Sequence, residues 1–158
     1  MTLLPVSAAI RELRETDLPE LLQLVRDAES FGPKAVDTER LDIKRDAIPD
    51  FGRVFVAEAE KTPVGYISVR RDGDIAVIDG VIVARKHRRR GIGRALVERA
   101  VAFARESSMR EISVETGADM KEAIEFYMSC GFRISGYEQH SGGSEGQVHL
   151  RRGLQAER

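Results

Sequence analysis

At 158 residues, 42% hydrophobic and 32% charged, the chain has the composition of a soluble globular protein with one sizeable core, and is read as a single domain over residues 1–158. Its formal net charge of −1 leaves no global excess of positive charge, which argues against nucleic-acid binding as its main business. The single cysteine, Cys130, excludes an intrachain disulfide, and no stretch approaches the ~20 apolar residues of a membrane span or carries a leader signal. A cytoplasmic protein without a membrane segment is the expectation.

Ile10 to Arg14 reads as a short strand. Asp17 and Glu20 then have the spacing of a capping box, ahead of Leu21, Val25 and Ala28 at helical period. Residues Phe31 to Arg53 are polar, with Leu41, Ile43, Ile48 and Phe51 scattered among charges, and are assigned one weak helix. "VFVAEAE" and "VGYISVRR" are strand-like runs joined around Thr62-Pro63, and Asp72-Gly73 is a hairpin turn into "DIAVIDGVIVA". The strand Ile75 to Val83 is apolar on both alternating sets, as a central strand covered on two faces should be. Gly80 inside it marks either a bulge or a packing accommodation.

From Ile92, the positions Ile92, Leu96, Ala100 and Phe103 recur at helical period. "EISVET" reads as a strand, "DMKEAIEFYMSC" as a helix stopped by Gly131, and Phe132 to Tyr137 and Val148 to Leu154 as two last strands around a mobile "HSGGSEG" loop. The expected fold is α/β, with one mixed, mostly antiparallel central sheet of six to seven strands flanked by about four helices. His87, His140 and His149 stand at no metal-ligand spacing, so no bound metal is expected.

The charge concentrates in "VARKHRRRGIGRALVERA". A helix start offers unpaired N–H groups and the positive end of the helix dipole. Gly91 and Gly93 let a phosphate approach them, and Arg side chains can close over it bidentately. The run lacks the GK[ST] of a P-loop and the third glycine of a dinucleotide-binding turn, since position 96 is Leu. Local charge thus suggests a local anion. An RNA-binding module using Arg85 to Arg90 is the competing reading.

"RRRGIG", Arg88 to Gly93, resembles the Arg/Gln-x-x-Gly-x-Gly/Ala signature of the Gcn5-related N-acetyltransferases, and "AIEFYMSCGF" resembles their Ala-x-x-Phe-Tyr-x-x-x-Gly-Phe segment. "IRELRETDLPEL", "VFVAEAEKTPVGYISV" and "IDGVIVARKHRRRGIGRALVERAVAFA" are similar to the family's first strand and helix, its second and third strands, and its fourth strand and third helix. The resemblance implies the family's acyltransferase fold, acetyl-CoA as cofactor and an amine acceptor, in a monomer or homodimer. It also implies that Val81, Ile82 and Val83 pair with the pantetheine arm like an added strand, and that Arg88, Arg89, Arg90, Gly91, Ile92, Gly93 and Arg94 hold the pyrophosphate. Gly80 would then mark the bulge that splays the fourth strand from the fifth. Met120 departs from the Asn frequent in the family.

Transfer to an amine needs a proton acceptor, because an ammonium has no lone pair, and the departing thiolate benefits from a proton donor. By the same resemblance Tyr127 is the acid, and Glu115, twelve residues before it, is the base. Asp79 is the rival base. Cys130 is expected to be a small core residue. A non-catalytic acyl-CoA sensor would keep the socket without needing Tyr127 or Glu115.

Overall fold

The computed structural model describes residues 8–28, 35–139 and 146–154. Seven strands form one sheet: β1 (Ala9–Glu12), β2 (Gly52–Ala59), β3 (Thr62–Asp72), β4 (Ile75–Val83), β5 (Glu111–Gly117), β6 (Arg133–Glu138) and β7 (Gln147–Gly153). Four helices are described: α1 (Leu18–Asp27), α2 (Ala35–Asp46), α3 (Ile92–Glu106) and α4 (Lys121–Ser129). The sheet order is β1-β2-β3-β4-β5-β7-β6. Every neighbouring pair is antiparallel except β4 and β5, which run parallel and are joined by α3 as the crossover. The "HSGGSEG" loop, apart from Gly146, and residues 31–34 of the second helical region lie outside the described residues.

Two apolar clusters fill the two faces. On one, Phe55, Ile67, Val69, Ile78, Leu96, Ala100, Phe103, Ile112, Val114 and Leu150 pack under α3 and α4. On the other, Leu21, Leu22, Val25, Ile43, Val54, Val56, Tyr66 and Ile82 pack under α1 and α2. Strand alternation divides the residues: Ile67 and Val69 go to the α3 face, Tyr66 to the α2 face.

The start of α1 differs from expectation. Asp17 closes a 3₁₀ turn, Glu15–Asp17, and makes no side-chain cap to α1. Its carboxylate instead accepts from the Arg14 amide at 2.7 Å and from both terminal nitrogens of Arg11 at 2.8 and 2.9 Å. The box therefore sits one turn earlier, with Asp17 in the place of its third residue. Its pull on Arg11 holds the Asp17 carboxyl below the usual range.

The central strand carries the feature that organises the site. Ser68 pairs with Gly80 and Val69 with Ile78, so Asp79 is an extra residue on β4, a bulge. Ile78 stays on the α3 face, while Gly80 and Ile82 take the α2 face. Asp79, rotated by the bulge, also reaches the α2 side, where Arg45 and Arg70 hold it. Pairing between β4 and β5 stops at Ile78 opposite Val114. Beyond that point the two strands part.

Candidate active site

Where β4 and β5 separate, a cleft of about 510 Å³ opens, lined by Val81, Ile82 and Val83, by Arg88, Arg89 and Gly91 to Arg94, and by Met120, Phe126 and Tyr127. Its floor is a strand edge: past Ile78, β4 has β3 on one side and, among the described residues, no strand on the other. An extended chain laid there meets backbone donors and acceptors at strand spacing. One acceptor is already engaged, since Arg88 Nε donates to the Val83 carbonyl at 3.0 Å.

The cleft ends at the start of α3. Gly91 caps that helix with φ +82°, in the left-handed region, and a Cβ there would meet nothing within 4 Å. Glycine is needed for the turn and leaves the approach to the first helical amides open. Arg89, with φ +61°, shares the left-handed conformation. Successive reversals of this kind form backbone concavities that suit anions. The structure thus brings together all but one of the sequence-predicted binding residues. Arg90 is exposed and does not line the cleft. Arg94 lines it, but its guanidinium donates to the Ser129 carbonyl at 3.0 Å and hydroxyl at 3.2 Å, tying α3 to the end of α4.

Tyr127 is placed by the way α4 ends. The amide of Gly131 donates to the Met128 carbonyl and that of Phe132 to the Tyr127 carbonyl, the paired bonds of a Schellman cap. The phenol ring lies edge-on between Phe126 at 5.3 Å and Phe132 at 5.6 Å. Tyr127 is 8% exposed, and its hydroxyl has no hydrogen-bond partner among the described residues. Burial, with lesser contributions from Cys130 and Glu39, pushes its pKa up, so the phenol keeps its proton. Cys130 is buried with its thiol pKa also raised, as a core residue.

The two carboxylates considered for proton transfer are in different situations. Glu115 is exposed on β5, opposite His149 in register, with Oε1 3.1 Å from His149 Nδ1. It does not line the cleft with Tyr127. Asp79 has both oxygens occupied: Oδ2 accepts from Arg45 Nη2 at 2.7 Å and Oδ1 from Arg70 Nε at 3.1 Å. Asp46, fully buried nearby, accepts from Arg45 Nε at 3.0 Å on Oδ1 and leaves Oδ2 without a partner among the described residues, and burial together with the neighbouring Asp79 carboxylate pushes its pKa up to about 8. Asp46 therefore holds its proton at neutral pH.

Sequence reasoning missed several residues that shape the region. His87, Glu122, Ala123 and Phe126 line the cleft. Glu39, 7% exposed, faces Gly80 from α2 and accepts a 2.7 Å hydrogen bond from the Tyr66 hydroxyl. A helical period with carboxylates on its buried side could have found Glu39 and Asp46, but apolar periodicity alone passes over them.

A mostly antiparallel sheet that splays at its one parallel junction, with a helix N-terminus at the mouth of the opening, is the fold of the GNAT acyltransferases. The chain belongs to the Acetyltransferase (GNAT) family, whose profile matches residues 9–132. An uncharacterized N-acetyltransferase of Methanocaldococcus jannaschii is 31% identical over 134 residues, or 78% of this chain and 59% of that protein. The chain spans about half the length of the curated relatives it matches. A solved structure described as a GNAT acetyltransferase of Desulfovibrio desulfuricans has a TM-score of 0.86 at 18% identity, covering 94% of this chain and 100% of the other. Another, described as a streptothricin acetyltransferase of Bacillus anthracis in complex with acetyl coenzyme A, has a TM-score of 0.63 at 25% identity, covering 65% and 62%.

Proposed function

We propose that the protein is an acetyl-CoA-dependent N-acetyltransferase that acetylates a primary amine by direct transfer in a ternary complex. The observation that carries this reading is the strand edge Val81–Val83, left without a partner beside the bulge and leading to the glycine-capped start of α3. The cleft fits the cofactor's parts: an edge for an amide-bearing arm, an apolar wall from Val81, Ile92 and Phe126, and cationic Arg88 and Arg89 at the helix N-terminus for a pyrophosphate. Membership of the GNAT family and the acetyl coenzyme A complex of a structural neighbour support the same assignment.

Acetyl-CoA, when bound, supplies an acetyl group activated as a thioester. Val81 to Val83 orient its arm through backbone hydrogen bonds, and the N–H groups at the start of α3 hold its negative charge. The Tyr127 hydroxyl, protonated at neutral pH and facing the cleft without a partner, serves as the proton donor to the leaving sulfur. The acceptor must lose a proton before its nitrogen can attack. Of the two sequence-predicted bases, Glu115 has the freer carboxylate, because Asp79 is clamped by two arginines. Glu115 works through water, with His149 steadying it.

The test is thermal. Acetyl-CoA should raise the melting temperature of the pure protein, and dephosphorylated pantetheine far less, because only a ligand that binds the native state stabilises it. Gly91→Glu should abolish the difference. An unmoved melting curve at millimolar acetyl-CoA would refute the cofactor assignment.

A further inference from the structure

The face of the sheet opposite α3 carries a cluster of carboxylates. Glu39, Asp42 and Asp46 of α2 and Asp79 of β4 gather over β3 and β4, facing Arg45 and Arg70. Both guanidiniums are committed to Asp79, and Arg45 also touches Asp42 and Asp46. Asp46 is neutralised by its own proton. Glu39, whose carboxyl pKa is also pushed up by burial, is the carboxylate of the four with no ion pair among the described residues. Its only hydrogen bond is from Tyr66, to Oε2, and no donor reaches Oε1 among the described residues.

Its position gives that carboxylate a use. Glu39 Oε2 lies 2.8 Å from where a Cβ on Gly80 would be, so the group rests directly on the β4 backbone next to Val81, where the strands part. Directly across from Gly80 is Ser68, fully buried, whose Oγ has no hydrogen-bond partner among the described residues. Paired residues of an antiparallel ladder project to the same face, so Ser68 points to the side that Glu39 occupies. A buried hydroxyl left unmatched on the same face as a carboxylate without an ion pair is costly to maintain, and a cationic donor at the carboxylate would offset part of that cost. Glu39 is also close enough to Tyr127 for its charge to contribute to holding the phenol's proton. The four carboxylates are not arranged as metal ligands among the described residues.

We infer that Glu39 seats the acceptor's ammonium, which enters from the α2 face and is held by the Glu39 carboxylate, across the sheet opening from Tyr127. The inference rests on the N-acetyltransferase reading and narrows it: the acceptor arrives as a cation, and Glu39 is the positioning residue that selects it over a neutral isostere. Basic wall and acidic wall then sort the two substrates to opposite sides of one opening.

The experiment titrates the coenzyme A-saturated protein with n-butylammonium and, separately, with n-butanol, following the Glu side-chain carboxyl carbons by NMR. The wild type should bind butylammonium at least ~10-fold more tightly than butanol, with the Glu39 signal moving. Glu39→Gln should erase the preference while leaving coenzyme A affinity unchanged. In turnover assays with butylamine it should raise KM for the amine more than it lowers kcat. Gly80→Ala is the second variant, since its methyl displaces the carboxylate without altering the sequence of α2; it should also lose the preference. Equal binding of amine and alcohol by the wild type, or a preference that survives in Glu39→Gln or in a folded Gly80→Ala, overturns the inference. Coenzyme A affinity is measured on each protein first: wild type that binds no coenzyme A removes the parent reading and this one with it, whereas normal coenzyme A binding with no ammonium preference removes this one alone.

Discussion

The Phe132 amide donates to the Tyr127 carbonyl at 3.0 Å while the two rings meet edge-on at 5.6 Å, so one backbone bond and one ring contact fix the only phenol lining the cleft among the described residues. The hydroxyl makes no bond that the packing depends on. Tyr127→Phe should therefore fold normally and bind acetyl-CoA within ~2-fold of wild type, yet lose ~10²-fold or more in turnover. A Phe variant with wild-type kcat would reduce Tyr127 to a packing residue.

Asp46 makes stability depend on pH in the sense opposite to most carboxylates. An aspartate in the unfolded chain titrates near 3.8, whereas Asp46 in the folded protein keeps its proton up to about 8. Between those values the native state binds more protons than the unfolded state, so unfolding free energy should fall as pH rises from about 4 to about 8, by at most ~1.4 kcal/mol per unit. Asp46→Asn, which carries no titrating proton, should remove that slope. Urea denaturation of both proteins at pH 5 and 8 measures it, and parallel pH dependence would disprove the assignment.

For the proton acceptor, the contrast is between Glu115, with one histidine beside it, and Asp79, held by two arginines. With acetyl-CoA saturating, kcat/KM of the wild type should rise with pH through an ionisation that Glu115→Gln removes, and the residual rate should climb as neutral amine becomes abundant. Asp79→Asn should keep the ionisation and lose stability, because it strands two arginines. If only the Asp79 variant lost the ionisation, the roles would be exchanged.

Gly91 contributes through its backbone alone. An alanine at φ +82° costs ~1 kcal/mol or slightly more, which for a chain of this size lowers the melting temperature by about 2–4 °C. Its methyl would enter open space at the helix start. Acetyl-CoA affinity should thus fall by more than the stability loss alone explains, as calorimetry on the folded variant would reveal.

The parts of the molecule that announce themselves in the sequence are those where side-chain chemistry follows secondary-structure period. Ile92, Leu96, Ala100 and Phe103 are buried at helical spacing, and the doubly apolar run Ile75 to Val83 is the central strand. Gly80 signalled the bulge, and "RRRGIG" the turn at α3. The second helix was hard to read for a physical reason: its buried stripe is Glu39, Ile43 and Asp46, two carboxylates out of three. Their burial is sustained by Tyr66, distant in sequence, and by Arg45, whose bond to its neighbour Asp46 no apolar period reveals. The pairing of Glu115 with His149 was equally out of reach, since it depends on the register of β5 with β7.

The single extra residue on β4 has an evolutionary corollary. Point substitutions along Ile78 to Val81 change which groups face the opening but leave the strand count intact, so they can diversify the acceptor without dismantling the fold. Removing Asp79 is different in kind. With Ser68 still opposite Gly80 and Val69 still opposite Ile78, the ladder would become continuous. β4 and β5 would then be free to go on pairing past Val114, sealing the edge from which Val81 to Val83 are reached. Variation at this point of the chain should therefore be plentiful in residue identity and nearly absent in length, and a one-residue deletion here is the smallest lesion that could leave a folded sheet with no entrance.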